Sequence, residues 1–302
     1  MPDSRTQVAF IGLGIMGEPM AKRLLEKEIP LAVYDIQVQA RARFSGTPAR
    51  VAESLAKAVS GTDVVILMLP DSHAVEVCCF AEDGIVEHLK PGALIINMST
   101  ADLGHTQDQA RRLLDRGFCC IDAPVGRTRH HARTGDLLAL VGAEPEDLKK
   151  ALPLLSAMAS DVEHVGPPGS GLKLKLVNNY LGMIGMAMTA EALALADRLG
   201  LDREVVVRCL SSTSAGRGQL VSTFPGKVLK GDLEPDFPLA MGRKDLQLGL
   251  ALAIETGVPA ELGKASSVYF QSSKDYGRDG QDCTAMLLLL HDLAAAGELA
   301  SS

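Results

Sequence analysis

The sequence predicts an α/β domain built on a mostly parallel sheet, followed by an all-α C-terminal domain joined to it through a long helix. The chain has 302 residues, which at roughly 150 residues per domain suggests two domains. Short apolar runs alternate with amphipathic stretches up to about residue 165, and only helical periods follow. We therefore expect the first domain over residues 1–166 and the second over residues 167–302.

Short apolar runs in the first half predict strands that are buried on both faces. Such runs are too short for helices, and amphipathic stretches separate them. The predicted strands cover residues 8–11, 31–34, 64–69, 94–98, 118–123 and 137–141. Because the stretches between them predict crossover helices, most neighbouring strands are expected to run parallel.

The stretch 176–190 carries no charged residue and predicts the long helix between the domains. Asn178, Asn179 and the following Glu191 make it a poor membrane span. A helix that is apolar on nearly every side is expected to be buried. We expect its surplus apolar surface to be covered by the C-terminal helices or by a second subunit, as in a homodimer or homotetramer.

Composition excludes several classes of partner. The chain has 30 Lys and Arg against 37 Asp and Glu, a formal net charge of −7, which argues against binding to nucleic acid. The first residues form no signal peptide, so we expect a cytoplasmic protein that is not exported or bound to a membrane. The six cysteines and seven histidines lack metal-ligand spacing, so we expect reduced thiols and no metal site.

Three glycines directly follow the first predicted strand. Gly12, Gly14 and Gly17 form the pattern G-x-G-x-x-G and open an amphipathic helix, whose N-terminus would supply free N–H groups to phosphates. Asp35 ends the second strand, 18 residues beyond Gly17, where a carboxylate can accept from a ribose hydroxyl. This combination predicts a Rossmann domain that binds NAD, since the charge of Asp35 would repel the 2′-phosphate of NADP.

Two further groups of polar residues are candidates for a substrate site. Arg127 follows a strand end in a locally basic loop, which favours an anionic substrate. Lys175, Asn178 and Asn179 are spaced to share one face of the long helix. A polar ligand would satisfy them. The alternative is that Lys175 reaches water while the asparagines pair with loops of the first domain.

Motifs spread over nearly the whole chain resemble the β-hydroxyacid dehydrogenase family. The motifs are Gly12-Leu-Gly-Ile-Met-Gly-Glu-Pro-Met-Ala, Met68-Leu-Pro, Asn97-Met-Ser-Thr, Asp122-Ala-Pro-Val, Gly169-Ser-Gly-Leu-Lys-Leu-Lys-Leu-Val-Asn-Asn and Lys244-Asp-Leu. The resemblance implies NAD-dependent reduction of a small anionic aldehyde, or oxidation of the corresponding hydroxyacid.

The resemblance also implies roles for individual residues. It makes Lys175 the catalytic residue. It implies a substrate site formed by Gly126, Arg127, Thr128, Asn178, Asn179 and Ser99. It implies a cofactor site formed by Gly12, Leu13, Gly14, Ile15, Met16, Gly17, Asp35, Leu69, Pro70, Thr100 and Lys244.

The chain departs from the family pattern at one informative place. The family has Ser-Gly-Gly after Asp-Ala-Pro-Val, whereas this chain has Gly126-Arg127-Thr128. Together with Asn97-Met-Ser-Thr and Lys175-Leu-Val-Asn-Asn-Tyr, this turn resembles the members of the family that act on a sulfonated three-carbon aldehyde, and the resemblance implies such a substrate. Alternatives are a carboxylated semialdehyde, with Arg127 pairing its carboxylate, and a non-catalytic member that senses the cofactor or binds another protein. Retention of Lys175 and Asn179 argues against the last.

Overall fold

The computed structural model describes residues 6–297, apart from the side chains of Leu248 and Leu252. Within these residues the first half folds as an α/β unit and the second half as a helical unit. By internal contacts the compact units are Met1–Tyr180 and Leu181–Ser302. The predicted fold class is confirmed, while the predicted division at residue 166 stays a prediction.

The described residues contain one sheet. Its strands are β1 (Val8–Ile11), β2 (Leu31–Tyr34), β3 (Arg50–Val51), β4 (Val64–Leu67), β5 (Leu94–Asn97), β6 (Cys119–Asp122), β7 (Val125–Gly126), β8 (Leu137–Gly142) and β9 (Ala159–Gly166). Their order is β3-β2-β1-β4-β5-β6-β8-β7, with β9 also pairing to β8. The pairs from β3 through β6 and the pair β8–β9 are parallel, and β8 runs antiparallel to β6 and β7.

All six predicted strands are present, with ends within two residues of prediction. The prediction missed three strands, of which β9 is the longest. Four of the eight residues of β9 are polar and exposed, so β9 lacks the apolar run by which a buried strand is recognised. It is held by its backbone pairing to β8.

Helices pack on both faces of this sheet, as crossover connections require. Within the described residues, seven helices lie wholly in the first unit: α1 (Gly17–Glu26), α2 (Val38–Ala42), α3 (Leu55–Val59), α4 (Ser72–Phe80), α5 (Leu103–Asp115), α6 (Arg129–Thr134) and α7 (Pro145–Met158). A 3-10 turn covers Ile85–Glu87. One core joins α1 and α7 to the sheet, and a second joins α3, α4 and α5 to its other face.

The helix α8 (Ser170–Arg198) begins in the first unit and continues into the second. The later helices are α9 (Arg203–Ser212), α10 (Ser214–Arg217), α11 (Gln219–Ser222), α12 (Leu239–Thr256), α13 (Glu261–Asp275) and α14 (Met286–Ala296), with 3-10 turns over Phe224–Gly226, Val228–Lys230 and Cys283–Ala285. Among residues 6–297, no helix is long and apolar enough to cross a membrane.

The cover of α8 by the C-terminal helices, one of the two expected alternatives, is not found near the middle of this helix. Leu181, Met183, Met186 and Met188 are 54%, 61%, 66% and 55% exposed. The C-terminal helices therefore do not cover these side chains. The second alternative, cover by another subunit, stays open.

Candidate active site

The loop after β1 brings two glycines into contact with backbone at the carboxyl edge of the sheet. Gly12 has a φ of +97°, and a Cβ there would lie 2.2 Å from the carbonyl oxygen of Met68. A Cβ on Gly17, the first residue of α1, would lie 1.9 Å from the carbonyl oxygen of Gly12. The protein's own backbone therefore excludes larger residues at both positions.

Gly14 lies in a different environment from these two glycines. It is exposed, and no atom comes within 4 Å of the place where its Cβ would stand. Packing within residues 6–297 therefore does not require glycine here. Glycine at this position leaves room for a ligand to approach the backbone, as a pyrophosphate does in dinucleotide-binding loops. Of its neighbours, Leu13 is buried, Ile15 is exposed and Met16 is half-buried.

Asp35 fixes the end of β2 beside the glycine loop. Its Oδ2 accepts a hydrogen bond from the backbone N–H of Leu13 at 2.7 Å, and its Oδ1 accepts from that of Gln37 at 2.8 Å. Arg41 donates through Nη1 to the carbonyl oxygen of Asp35 at 3.0 Å. The carboxylate is thus oriented by backbone donors at the position where a ribose binds in this fold.

A cavity of about 650 Å³ lies along this edge of the first unit. Its lining residues are Ile11, Gly12, Gly14, Ile15, Met16, Gly17, Asp35, Ile36, Gln37, Leu55, Met68, Leu69, Pro70, His73, Ala74, Val77 and Cys78. The glycine loop and Asp35 face the same space as Leu69 and Pro70, so the structure brings these predicted cofactor residues together. Sequence reasoning missed the contribution of α4, which lines the cavity with His73, Ala74, Val77 and Cys78.

Ser99 and Thr100 follow β5 and lie outside that lining. Ser99 is buried, and its Oγ accepts a hydrogen bond from the backbone N–H of Leu69 at 2.9 Å. Its own N–H donates to Oδ1 of Asn97 at 3.1 Å. Ser99 therefore ties the loop after β5 to the loop after β4. Thr100 is half-buried.

Gly126, Arg127 and Thr128 form the turn between β7 and α6. Gly126 is buried within β7, and Thr128 caps α6 together with His131. Arg127 has a φ of +74°, in the left-handed region that favours glycine. This chain therefore keeps, with an arginine, a backbone conformation suited to the glycine of the family pattern.

The Arg127 guanidinium lies against the start of β8 and of β9. Its Nη1 donates to the carbonyl oxygen of Asp136 at 2.6 Å and to Oγ of Ser160 at 2.8 Å, and its Nη2 donates to Oδ2 of Asp161 at 2.5 Å. This hydrogen bond holds the pKa of Asp161 below its usual value. The guanidinium has five N–H donors, and Nε–H and one Nη2–H have no acceptor within residues 6–297. The side chain is 35% exposed.

Lys175 lies on the face of α8 that packs on the sheet. Gly171, four residues earlier, shares this face, and a Cβ on Gly171 would lie 2.1 Å from the carbonyl oxygen of Leu140 in β8. Helical side chains lean towards the N-terminus, which predicts that Lys175 is directed back towards this contact. It is half-buried, and burial lowers the pKa of its ammonium, whereas Lys173 is exposed.

Asn178 and Asn179 lie about one turn beyond Lys175 on α8, within the first unit. Asn178 donates through Nδ2 to Oδ1 of Asn179 at 3.1 Å. The carboxamide oxygen of Asn178 and the Nδ2 of Asn179 have no hydrogen-bond partner in the described part of the chain. An acceptor and a donor are therefore left for a ligand.

Asp122 is a buried carboxylate that sequence reasoning left out of the candidate site. It ends β6 and is 6% exposed. Its Oδ1 accepts from the backbone N–H of Gly169 at 2.5 Å, and its Oδ2 accepts from that of Leu172 at 2.7 Å. Burial raises the pKa of Asp122, and the N–H donors oppose that shift. The available signal was one charged residue within the apolar run 118–123.

Lys244 lies on α12 in the second unit. Its side chain is exposed, and Nζ lies 3.1 Å from Oδ1 of Asp245. A role for Lys244 at the cofactor stays a prediction.

Comparison with known proteins bears directly on this arrangement. Residues 7–166 match the family model for the NAD-binding domain of 6-phosphogluconate dehydrogenase, and residues 169–290 match that for the NAD-binding region of NADP-dependent 3-hydroxyisobutyrate dehydrogenase. The chain is 39% identical over 280 residues to 3-sulfolactaldehyde reductase of Escherichia coli, covering 93% of this chain and 94% of that protein. The chain belongs to the β-hydroxyacid dehydrogenase family.

Other members of this family are similar over comparable lengths. Human mitochondrial 3-hydroxyisobutyrate dehydrogenase is 34% identical over 298 residues, covering 96% of this chain and 88% of that protein. A solved structure of 3-hydroxyisobutyrate dehydrogenase from Mycobacterium tuberculosis with L-serine has 28% identity and a TM-score of 0.66, covering 94% of this chain and 99% of that one. This β-hydroxyacid dehydrogenase is NAD-dependent, and the open space at Gly14 together with the oriented carboxylate of Asp35 fits a dinucleotide.

Proposed function

We propose that this enzyme reduces 3-sulfolactaldehyde to 2,3-dihydroxypropane-1-sulfonate with NADH. The observation that carries the proposal is the Gly126-Arg127-Thr128 turn, in which an arginine occupies a left-handed position that favours glycine. The 39% identity to 3-sulfolactaldehyde reductase supports the same substrate. A guanidinium at this turn is suited to an anionic end group with several acceptor oxygens.

Lys175 is proposed to supply the proton. When bound, NADH supplies a hydride to the aldehyde carbon, and negative charge develops on the aldehyde oxygen. A protonated lysine beside that oxygen stabilises the charge and then donates its proton, which gives the alcohol. The half-burial of Lys175 supports this role, because it lowers the pKa of the ammonium and makes it a stronger acid.

Arg127, Thr128, Asn178 and Asn179 are proposed to bind the sulfonate. A sulfonate presents three acceptor oxygens, so it can accept from the Nε–H and Nη2–H of Arg127 that the chain leaves without partners. Asn179 can donate through Nδ2, and Thr128 can donate through its hydroxyl once the hydroxyl exchanges its 2.9 Å contact with Nδ1 of His131 for the sulfonate. The ion pair with Asp161 supports a preorganised Arg127, since it fixes the guanidinium while leaving these two donors.

The remaining predicted residues are assigned to the cofactor and the loops around it. Leu13, Ile15, Met16, Leu69 and Pro70 are proposed to surround the dinucleotide, with Asp35 on its adenosine ribose. Ser99 is proposed to hold the loops beside the substrate. Thr100 and Lys244 are proposed to contact the cofactor. The negative charge of Asp35 supports a preference for NADH over NADPH.

A carboxylated semialdehyde is the second candidate substrate. The 34% identity to human 3-hydroxyisobutyrate dehydrogenase favours this class, which includes methylmalonate, tartronate and succinic semialdehydes. Arg127 would then pair with a carboxylate through two parallel hydrogen bonds. In this case Lys175 keeps its role.

Steady-state kinetics on a panel of aldehydes tests the proposal. We expect kcat/KM for 3-sulfolactaldehyde with NADH to exceed that for succinic, tartronate and methylmalonate semialdehydes by at least tenfold. NADPH in place of NADH should lower this value. A semialdehyde with the higher kcat/KM would replace the sulfonate as substrate, and NADH binding without turnover of any of the four aldehydes would contradict the assignment.

We also propose that the enzyme is a homodimer or homotetramer. The support is the apolar surface of α8, where four leucine and methionine side chains between residues 181 and 188 are more than half exposed in one chain. Large exposed apolar surfaces mark interaction sites. A second copy of the same chain is the proposed cover.

A further inference from the structure

We infer that Asp122 is a positioning residue for Lys175. Its carboxylate fixes the start of α8 against the sheet and thereby the place of the Lys175 ammonium. The inference rests on the proposed function, because it assumes that Lys175 donates the proton.

The first observation is that Asp122 caps α8 from a distant part of the chain. The first backbone N–H groups of a helix have no partner within it, and a side chain just before the helix commonly accepts from them. Here the acceptor is a strand residue that precedes Gly169 by 47 positions and Leu172 by 50. One carboxylate oxygen accepts from Gly169 and the other from Leu172, and the negative charge meets the positive end of the helix.

The second observation is that this contact leaves no free space between the end of β6, the end of β8 and the start of α8. A Cβ on Gly142 of β8 would lie 2.4 Å from Oδ1 of Asp122 and 2.8 Å from the backbone nitrogen of Ser170. A Cβ on Gly171 would lie 2.1 Å from the carbonyl oxygen of Leu140 and 3.0 Å from Oδ2 of Asp122. The ends of β6 and β8 and the start of α8 therefore meet at backbone contact distance around one carboxylate.

The third step relates this contact to Lys175, the proposed proton donor. Lys175 follows Leu172 by three residues, about 4.5 Å along the helix axis. Gly171 and Lys175 share one face, so a shift of the first turn moves the lysine by a similar distance. Asp122 also begins the segment that reaches Arg127 five residues later. One carboxylate thus links the helix that carries Lys175 to the turn that carries Arg127.

Both oxygens of the carboxylate are needed for this role. An asparagine keeps one acceptor oxygen, but its NH₂ group would face a backbone N–H that also donates. One end of the contact would then open while the side-chain volume stays almost the same. Asp122→Asn is therefore a test that alters the position of α8 without creating a cavity.

The main experiment measures Asp122→Asn with 3-sulfolactaldehyde. We expect kcat to fall by about 10- to 100-fold, the scale associated with misplacing a catalytic group by roughly 1 Å. The dissociation constant for NADH should stay within twofold, because the glycine loop and Asp35 lie on other strands. The matched control is Asp202→Ala, which removes a carboxylate that caps α9 by accepting from Val205 N–H at 2.9 Å. It should leave kcat within twofold.

A double-mutant cycle separates positioning from a general structural effect. If Asp122 acts through Lys175, Asp122→Asn should lower kcat by less than twofold in a Lys175→Ala background. The same factor in both backgrounds, or a kcat within twofold of wild type for Asp122→Asn alone, would overturn the inference. Normal turnover by Lys175→Ala alone would overturn the proposed function, and the inference with it.

A second variant keeps the test possible if Asp122→Asn does not fold. Gly171→Ala places a methyl group against the carbonyl oxygen of Leu140 and moves the same helix start. We expect Gly171→Ala to lower kcat as much as Asp122→Asn does. In the Lys175→Ala background, Gly171→Ala should likewise have no effect on kcat. The control is Gly226→Ala, since a Cβ on Gly226 meets no atom within 4 Å. A Gly171→Ala variant that binds NADH and keeps full kcat would contradict the inference.

Discussion

Three charged side chains of the first unit differ in their electrostatic environment, and this determines what each can do. The ammonium of Lys175 is half-buried, so its pKa is lowered towards the range useful for proton transfer. The carboxylate of Asp122 is buried and surrounded by backbone N–H donors, which suits it to hold structure. The guanidinium of Arg127 is partly exposed and ion-paired, so it can bind an anion while staying fixed.

Arg127→Ala is expected to raise KM for 3-sulfolactaldehyde by about 100-fold with a smaller change in kcat. The reason is the loss of roughly 2 to 3 kcal/mol of charge-assisted hydrogen bonding to the sulfonate. Steady-state kinetics measures the effect. Arg129→Ala is the matched control, because Arg129 is exposed two residues further on and should leave KM nearly unchanged. An unchanged KM for Arg127→Ala would remove this residue from substrate binding.

The pH dependence of reduction should report the ionisation of Lys175. The protonated form donates, so kcat for aldehyde reduction falls as pH rises through the pKa of Lys175. Burial lowers this pKa, so the fall should occur below the 10.5 of a free lysine side chain. Lys175→Arg should abolish this alkaline limb, because a guanidinium stays charged in this range. The same limb in both proteins would assign the ionisation to another group.

At the residue scale, the sequence predicts which side chains are neighbours in space only when they are close together along the chain. The spacing of Lys175 and Asn178 gives their shared helix face without a structure. It does not give the partners of Arg127, because Asp161 lies 34 residues away on a strand that periodicity does not reveal. Asp122 was missed for the same reason, since its partners lie 47 and 50 residues later.

At the scale of elements, the longer buried strands were predictable, whereas the exposed strand β9 and the two-residue strands were not. Strands such as β1 and β4 are apolar throughout because helices cover both faces of the sheet. The strands β3 and β7 have two residues each, which is too short for any periodic signal. The glycine loop was predictable, and the structure adds which backbone atoms would meet a Cβ at Gly12 and at Gly17.

Gly14→Ala and Gly17→Ala should differ in their effects on thermal stability and on NADH affinity. A Cβ on Gly14 meets no atom within 4 Å, so Gly14→Ala should keep its melting temperature while NADH binds at least tenfold more weakly. A Cβ on Gly17 would lie 1.9 Å from a carbonyl oxygen, so Gly17→Ala should lower both stability and NADH affinity. Thermal unfolding and NADH fluorescence titration measure the two effects. Equal losses of melting temperature would contradict the distinction.

At the scale of the whole molecule, the sequence predicts a two-part chain and the kind of fold in each part. The helix that joins the parts was also predicted, from a stretch without charge. The pattern of an apolar helix does not tell whether its cover comes from the same chain or from another, and the structure adds that the C-terminal helices leave part of this helix exposed.

Light scattering coupled to size exclusion should give a mass two or four times the 31.9 kDa of one chain. Met186→Glu places a charge on the exposed apolar surface of α8 and should shift the enzyme towards a smaller mass. Leu114→Glu is the matched control, since Leu114 and Met186 are both 66% exposed and Leu114 lies on α5. A wild-type mass of one chain would contradict the proposed assembly.

The continuity of α8 has a consequence for dividing the gene into fragments. The boundary between the compact units falls at Tyr180 and Leu181, inside an unbroken helix rather than in a flexible linker. A split at this point would leave each fragment with a truncated helix end and a row of amides and carbonyls without their partners. Expression of either half alone therefore requires a fragment that keeps α8 whole.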